Sequence, residues 1–432
     1  MNDAQNPSIF VLYHYLPPDD VVSAVHLGDL CAGLAKRGWR VSAFPTVWGC
    51  RNENIRFAHR EEWQNVQIHR LWRPRFAQSS GLGRLLNAAW MIARWSLVAC
   101  GGRERPDVLL VGTDPILSIL VARLWKVVSP RTKIVHWCFD LYPEAAIADG
   151  ILSANGLFAR FLGSLLRPAY RACNVIADIG PCMRGLLAKY ASDAQRVTLV
   201  PWALEEPNAP LDIHRDEREV VFGTTSLALL YSGNFGRAHS HSEILQLVEK
   251  LTVSGARLAF SVRGNREGEL RKAVARHRVD VRFVPFAAEE GLAARLACPD
   301  VHVVSLRSEW NGMVVPSKFF GALSVGRPVL FSGSPESAVG QWIRLFKVGW
   351  VLSEENIDEV AAVLIRYSRS PEEQAAMREN CFRVYQQHFS KHIQIEGWHS
   401  VLRALLTSRH PLESERNGSP GGSYERMSNN GG

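Results

Sequence analysis

Short apolar, β-rich runs alternate with helical patterns along this chain, and they do so in two series. The first series has strand candidates at residues 9–13, 41–44, 108–111, 134–139, 175–179 and 197–201. The second has them at 227–232, 258–262, 281–286, 301–306 and 329–332. Between the first two runs, Leu27, Leu30, Cys31 and Leu34 recur at i, i+3, i+4 and i+7, one face of a helix. Arg37-Gly38 then supplies a basic last turn and a glycine stop. Buried strands separated by helices belong to parallel sheets. The expected fold class is therefore α/β, with two doubly wound halves. The 432 residues exceed one ordinary core. The polar stretch 205–219 reads as a linker, residues 371–407 as a closing helical segment, and 408–432 as a disordered tail.

Composition removes several classes. Apolar residues at 47% and charged residues at 21% are ordinary for a globular chain. The longest uncharged stretch, 220–236, is 17 residues with Gly, Thr, Ser and Asn in it, short of a spanning helix. No basic residue precedes the first apolar run, so a signal peptide is not expected and a cytoplasmic protein is. The eight cysteines show no zinc or redox spacing. No Asp-x-Asp offers a carboxylate pair, so no metal is expected. No Gly-x-Gly-x-x-Gly follows the first strand, which disfavours an NAD enzyme. Dispersed basic residues without helix-turn-helix or zinc spacing disfavour nucleic acid. Net charge is +8, and residues 1–205 hold 23 Lys+Arg against 16 Asp+Glu, while the remainder is nearly neutral. That asymmetry points to a polyanionic partner for the first half.

Five segments are candidates to carry chemistry. Tyr231-Ser232-Gly233-Asn234-Phe235-Gly236-Arg237 joins a strand to a helix with Ile244, Leu247, Val248 and Leu251 on one face. A glycine turn there leaves free N–H groups for a phosphate, with Arg237 as a guanidinium fork; a plain tight turn is the alternative. Glu309-Trp310-Asn311-Gly312-Met313-Val314-Val315-Pro316-Ser317-Lys318 follows another strand of the same half. Gly312 admits a ligand to the backbone, Lys318 suits a phosphate and Glu309 suits sugar hydroxyls. His136-Trp137-Cys138-Phe139-Asp140-Leu141-Tyr142-Pro143-Glu144 ends a strand of the first half, where Asp140 either caps a helix or meets substrate. Pro17-Pro18-Asp19-Asp20 and Thr113-Asp114-Pro115 end two more. Ligands of open α/β sheets bind at such carboxyl ends.

These residues resemble glycosyltransferase family 4, the retaining GT-B enzymes, and within it the bacterial exopolysaccharide, O-antigen and colanic acid branch. The resemblance rests on Asp140 to Glu144, Tyr231 to Arg237 and the run Val315 to Val329, and spans residues 8–407. It implies two Rossmann-like domains facing a cleft, an acceptor domain over 1–205 and a nucleotide-sugar domain over 206–390. It implies a helix over 391–407 that crosses back. Carried over, Gly233, Asn234, Gly236 and Arg237 hold the donor diphosphate, Glu309 contacts the donor sugar, and Gly312, Met313, Val314, Ser317 and Lys318 line the donor loop. Pro18, Asp19, Asp114 and Glu144 are the acceptor candidates, and Asp140 the carboxylate beside the reacting centre.

The departures are specific. The second Glu of the family's Glu-x7-Glu pattern is absent: Ser317 stands eight positions after Glu309, and alignment on Gly326-Arg327-Pro328-Val329 puts Gly321 there. The lysine that often follows Arg237 is replaced by a stretch with His239 and His241. Arg263-Gly264-Asn265 stands where Gly-Asp-Gly is common, so Lys318 and Arg263 are expected to supply the missing positive charge.

The implied reaction moves a hexose or N-acetylhexosamine from a nucleoside diphosphate, UDP by resemblance, to a polyprenyl-diphosphate-linked glycan, with retention and without a metal. The nucleotide sugar is a co-substrate; no cofactor is expected. Residues 157–171, with Phe158, Phe161, Leu162 and Leu165 on one face and Arg160, Arg167 and Arg171 opposite, suit peripheral contact with the inner face of the plasma membrane. Residues 85–98, with Trp90 and Trp95 flanked by Arg84 and Arg94, do likewise. Helices packed on the sheet are the alternative. A UDP-sugar 2-epimerase-like isomerase and a non-catalytic nucleotide-sugar-binding subunit are the competing functions.

Overall fold

The computed structural model describes residues 6–407 except Asp20, Ser79, Arg103 and Arg278, and of Glu289 the backbone alone. The expected tail over 408–432 lies outside the described residues, as does Asp20. The described chain forms two compact units: one runs up to Val200 and resumes at Gln394, the other is Pro201–Ile393.

The first unit holds the strands β1 (Ser8–Leu12), β2 (Arg40–Ala43), β3 (Arg60–Trp63), β4 (Val66–His69), β5 (Val108–Gly112), β6 (Lys133–Trp137), β7 (Val175–Asp178) and β8 (Arg196–Thr198). Their order is β3-β4-β2-β1-β5-β6-β7-β8, parallel except for β3 on β4. The second unit holds β9 (Leu227–Asn234), β10 (Ala256–Arg263), β11 (Val281–Phe283), β12 (Val301–Ser305), β13 (Val329–Ser332) and β14 (Gly349–Leu352). Their order is β11-β10-β9-β12-β13-β14, all parallel. Central strands are predominantly apolar because helices cover both faces: every residue of β1 and β5 is buried.

In each sheet the chain leaves its first strand in one direction and later returns to that strand's other side. The reversal falls between β1 and β5 in one sheet and between β9 and β12 in the other. Loops that leave two such strands at their carboxyl ends diverge and open a crevice within that unit.

Four elements differ from expectation. The β3–β4 hairpin was not foreseen. Arg60-Glu61-Glu62-Trp63 lacks apolar alternation because it is the sheet's edge, and Gln64 and Asn65 turn at φ 49° and 63°. The edge strand β14 is short and was likewise missed. The linker contains a helix, Arg215–Phe222, capped by His214 Nδ1, which accepts from Glu217 N at 3.2 Å; its Val221 and Phe222 are buried. The closing helical segment is two helices, Pro371–Val384 and Lys391–Thr407, with a π-turn Tyr385–Phe389 between them and extended Ser390 as the break.

From Gln394 onward the last helix packs within the first unit. Gln394 Oε1 accepts from Val200 N at 3.0 Å. Trp398 lies edge-on to Trp137 at 5.0 Å. Gly33 leaves room for Ile395, whose Cγ2 would sit 2.7 Å from a Cβ there.

Candidate functional site

At the β9/β12 crevice of the second unit three segments meet. β9 ends in Gly233-Asn234 and turns through Phe235, Gly236 and Arg237. β10 ends in Arg263, opposite Asn234. β12 leads into residues 307–317 and the helix Lys318–Ser324. Backbone hydrogen bonds tie them: Phe235 N donates to Arg263 O at 2.7 Å, Arg266 N to Phe235 O at 3.3 Å and Arg307 N to Ala238 O at 2.8 Å. Two glycines are required by close approach. At Gly264, φ +139°, a Cβ would lie 2.5 Å from Phe235 O. At Gly233, φ +129°, it would lie 2.8 Å from Lys318 Cε.

The Lys318 stem therefore runs against the β9 turn, and its ammonium sits 5.2 Å from the centre of the Tyr231 ring. Burial is the sole cause that pushes this ammonium down to about 7. No carboxylate among the described residues offsets it. A desolvated cation without an internal counter-ion gains most when an anion arrives.

The histidines that replace the expected lysine serve the loop instead. His239 Nδ1 donates to Ser305 O at 2.7 Å, and burial, then the Lys318 charge, hold the ring to about 3, so it is neutral. His241 stacks on Phe235 at 6.3 Å. Arg237 and Asn234 are exposed at the turn. Arg263 lies 4.1 Å over the Phe286 ring. Glu309, in the turn Ser308–Trp310, is exposed and 3.5 Å from Arg307 Nη2. Its own backbone N–H, then Arg307, hold its carboxyl below the usual range. Gly312 has φ +79°, Met313 and Val314 are half-buried, and Ser317 is exposed. Trp310 Nε1 and Asn311 Oδ1 are buried without a partner. At Gly321 a Cβ would meet only Leu296 Cδ1, at 3.8 Å, so the missing carboxylate is not a steric necessity.

In the first unit the crevice between β1 and β5 gathers the loops after β1, β5 and β6. The peptide bonds before Pro18, Pro115 and Pro143 are cis. His14 N donates to Asp114 O at 3.0 Å, and His14 Nδ1 is 3.5 Å from Asp114 Oδ1. Thr113 Oγ1 donates to Trp137 O at 3.1 Å and accepts from Phe139 N at 2.8 Å, joining the ends of β5 and β6. Burial, then the Asp114 charge, push the Asp140 carboxyl up to about 6.

Asp114 and Asp140 are thus brought together. Asp19 and Glu144 are engaged by the fold itself: Asp19 Oδ2 accepts from Cys50 N at 2.7 Å, and Glu144 Oε1 accepts from Tyr190 Oη at 2.7 Å and pairs with Lys189 Nζ at 2.6 Å. Pro18 is exposed beside Asp19. Sequence reasoning missed His14, whose Nε2 is buried without a partner and whose ring stacks on Tyr15 at 4.2 Å. Its signal was a polar residue two positions beyond the first strand. Among the described residues no group of three His, Cys, Asp or Glu side chains is placed to hold a metal ion.

Residues 23–203 match the family described as a glycosyl transferase 4-like domain. Over 347 residues the chain is 24% identical to "Probable glycosyltransferase WbjE" of Pseudomonas aeruginosa, covering 77% of this chain and 84% of that one. The chain is a glycosyltransferase, and residues 23–203 are similar to the family 4 type. Solved structures extend the likeness to both units. Sucrose-phosphate synthase from Thermosynechococcus elongatus superposes with a TM-score of 0.69 at 14% identity, covering 92% of this chain and 99% of its own. HepE of Anabaena, solved with UDP and glucose, gives 0.64 at 12%, with 92% and 99% covered. WaaG, a glycosyltransferase involved in lipopolysaccharide biosynthesis, gives 0.61 at 15%, with 91% and 99% covered. The fold of this glycosyltransferase is GT-B, as the sequence motifs implied.

Proposed function

We propose that this glycosyltransferase moves a hexose or N-acetylhexosamine from UDP to a polyprenyl-diphosphate-linked glycan, with retention, in cell-surface polysaccharide synthesis at the inner face of the plasma membrane. The carrying observation is Lys318, a half-buried, desolvated cation without a carboxylate partner among the described residues, lying against the Gly233 turn at the β9/β12 crevice. Amides of the turn, Arg237 and Lys318 present positive charge to a diphosphate, with Arg263 one strand away. Charge grows on that diphosphate as the glycosidic bond breaks, and preorganised donors stabilise it by several kcal/mol without a metal. Glu309 orients the donor sugar, with Gly312, Met313, Val314 and Ser317 around it. Asp140 is the carboxylate beside the reacting centre, and Asp114 orients the acceptor. HepE structures with UDP and UDP-glucose support the choice of carrier. The names of WbjE and WaaG support the polysaccharide role.

A thermal-shift panel of UDP, GDP, ADP, CDP, TDP and NAD tests the donor site. A ligand at a hundred times its Kd stabilises by about 2.7 kcal/mol, a rise of roughly 5–10 °C for a unit this size. UDP alone is expected to give it. No shift with any nucleotide at millimolar concentration overturns the reading in favour of a protein without a donor site. UDP-sugar turnover without an acceptor reassigns it to an isomerase.

Gly233→Ala is a sharper probe. The new Cβ meets the flexible end of Lys318, and φ +129° strains an L residue there, so the substitution displaces the ammonium and distorts the turn amides together. The UDP Kd is expected to rise by about tenfold or more, the value of one charge-assisted contact. Titration calorimetry giving an unchanged Kd would remove Lys318 from the site.

A further inference from the structure

Three helices of the first unit, Gly81–Gly101, Val121–Val128 and Leu157–Ala172, connect β4 to β5, β5 to β6 and β6 to β7. Right-handed crossovers put all three on one face of the sheet, and the middle helix packs against both others. Each packs one face on the fold and leaves further large apolar side chains exposed. In Leu157–Ala172, Ala159, Leu166, Ala169 and Tyr170 are buried, while Leu157 is 82% exposed, Phe158 62% and Phe161 61%. In Gly81–Gly101, Ala88, Met91, Trp95 and Ala99 are buried, while Leu82 is 70% exposed and Leu97 62%. Leu85, Leu86 and Trp90 also face outward, and Val127 of the middle helix is 78% exposed. Trp90 is held in place: its Nε1 donates to Trp72 O at 3.1 Å, and the two half-exposed indoles meet edge-on at 5.5 Å.

The charge on these helices is of one sign. They carry Arg84, Arg94, Arg123 and Lys126, then Arg160, Arg167 and Arg171, and no Asp or Glu. That accounts for the whole positive excess of residues 1–205. A broad exposed apolar surface without acids and studded with arginine is the composition of an interfacial face. We propose that this three-helix face docks on an anionic lipid bilayer, its Leu and Phe side chains at the acyl boundary, Trp72 and Trp90 at the headgroup level and the arginines on lipid phosphates. Among the described residues no helix is long and apolar enough to cross a membrane. Contact through a face is the mode that remains for these helices. A second copy of the chain is a poor occupant, because a two-fold interface sets the same cationic patch against itself. The inference rests on the proposed lipid-linked acceptor only for its purpose; lipid binding does not require the donor site.

Co-sedimentation of the full chain with vesicles of phosphatidylcholine containing about 30% phosphatidylglycerol, at about 50 mM salt, tests it. Binding is expected there, and at least about tenfold weaker binding to pure phosphatidylcholine. The double variant Phe158→Ser, Phe161→Ser is expected to lose at least about tenfold in partitioning, while its thermal midpoint and UDP shift match the wild type, since both rings lie outside the core. A charge variant, Arg160→Gln with Arg167→Gln and Arg171→Gln, is expected to lose binding selectively on the anionic vesicles. Wild-type protein left in the supernatant, a serine variant that binds like wild type, or equal binding to neutral vesicles each overturns the proposal. So does a concentration-dependent dimer that the serine variant loses without lipid. Vesicle binding that persists without any UDP shift overturns the donor reading alone.

Discussion

A Lys318→Met protein is expected to lose two to three orders of magnitude in kcat/KM and yet to be more stable than the wild type when no ligand is bound. Removing one preorganised donor from a developing negative charge costs about 10²–10³ in rate. The stability gain follows from burial. The Lys318 ammonium has its ordinary value of 10.5 in the unfolded chain and about 7 in the folded one. Between those values the unfolded chain binds the extra proton, so stability rises with pH across that window. Below about 7 both states are charged and the whole desolvation penalty is present. Methionine keeps the stem and deletes the charge, so its advantage is largest below pH 7 and vanishes toward pH 10.5. With discount for partial solvation it is on the order of 1–2 kcal/mol. Parallel melts at pH 6 and pH 9 measure it. A variant that is less stable than wild type at pH 6 and fully active would sink the role.

The same residue makes donor binding take up a proton. At pH 8 the terminal phosphate of UDP is already ionised, whereas most Lys318 side chains are neutral. A diphosphate beside the amine restores its charge. Calorimetry in two buffers of different ionisation enthalpy is expected to show uptake approaching one proton at pH 8, abolished in Lys318→Met. No uptake in the wild type would mean that the phosphate binds elsewhere on the turn.

Both sheets were legible in the sequence because their central strands are predominantly apolar runs, buried on both faces. What escaped it had a different physical basis. Arg60 to Trp63 forms an edge strand whose polarity guards against pairing, and that polarity hides it. His14 carries no motif; only the return of the chain to the far side of β1 sets it against Asp114. Lys318 was named from sequence as a phosphate contact. That it lies 85 residues downstream yet against the Gly233 backbone is a property of parallel pairing around β9, which local spacing cannot express. Asp19 and Glu144 show the converse. Each stands at a strand's carboxyl end, where substrate groups gather, and each has one oxygen engaged by the fold, Asp19 Oδ2 by Cys50 N and Glu144 Oε1 by Tyr190 and Lys189.

Asp140→Asn is expected to separate chemistry from folding most widely. Burial, then the charge of Asp114, raise the Asp140 carboxyl from 3.8 to about 6. Between these values the folded chain holds a proton that the unfolded chain has released, so stability falls as pH rises through that window. Above about 6 the folded protein keeps a charged carboxylate in a poorly solvated place beside another. Asparagine removes that charge with the shape kept. The melting temperature at pH 7.5 is expected to rise by a few degrees, for a gain of about 1–2 kcal/mol, and the gain to disappear by pH 4. Turnover is expected to fall by about 10²–10⁴, the span of a positioned carboxylate acting on the reacting groups. The acid limb of the wild-type kcat/KM profile should then lie near pH 6, the value of Asp140, and the basic limb near pH 7, where unliganded Lys318 gives up its proton. An optimum this narrow widens toward alkali in kcat, because bound diphosphate keeps Lys318 charged. If Asp140→Asn were stabilised as described but turned over at the wild-type rate, the raised carboxyl would be a product of the Asp114 pairing alone, and the reacting centre would need another group.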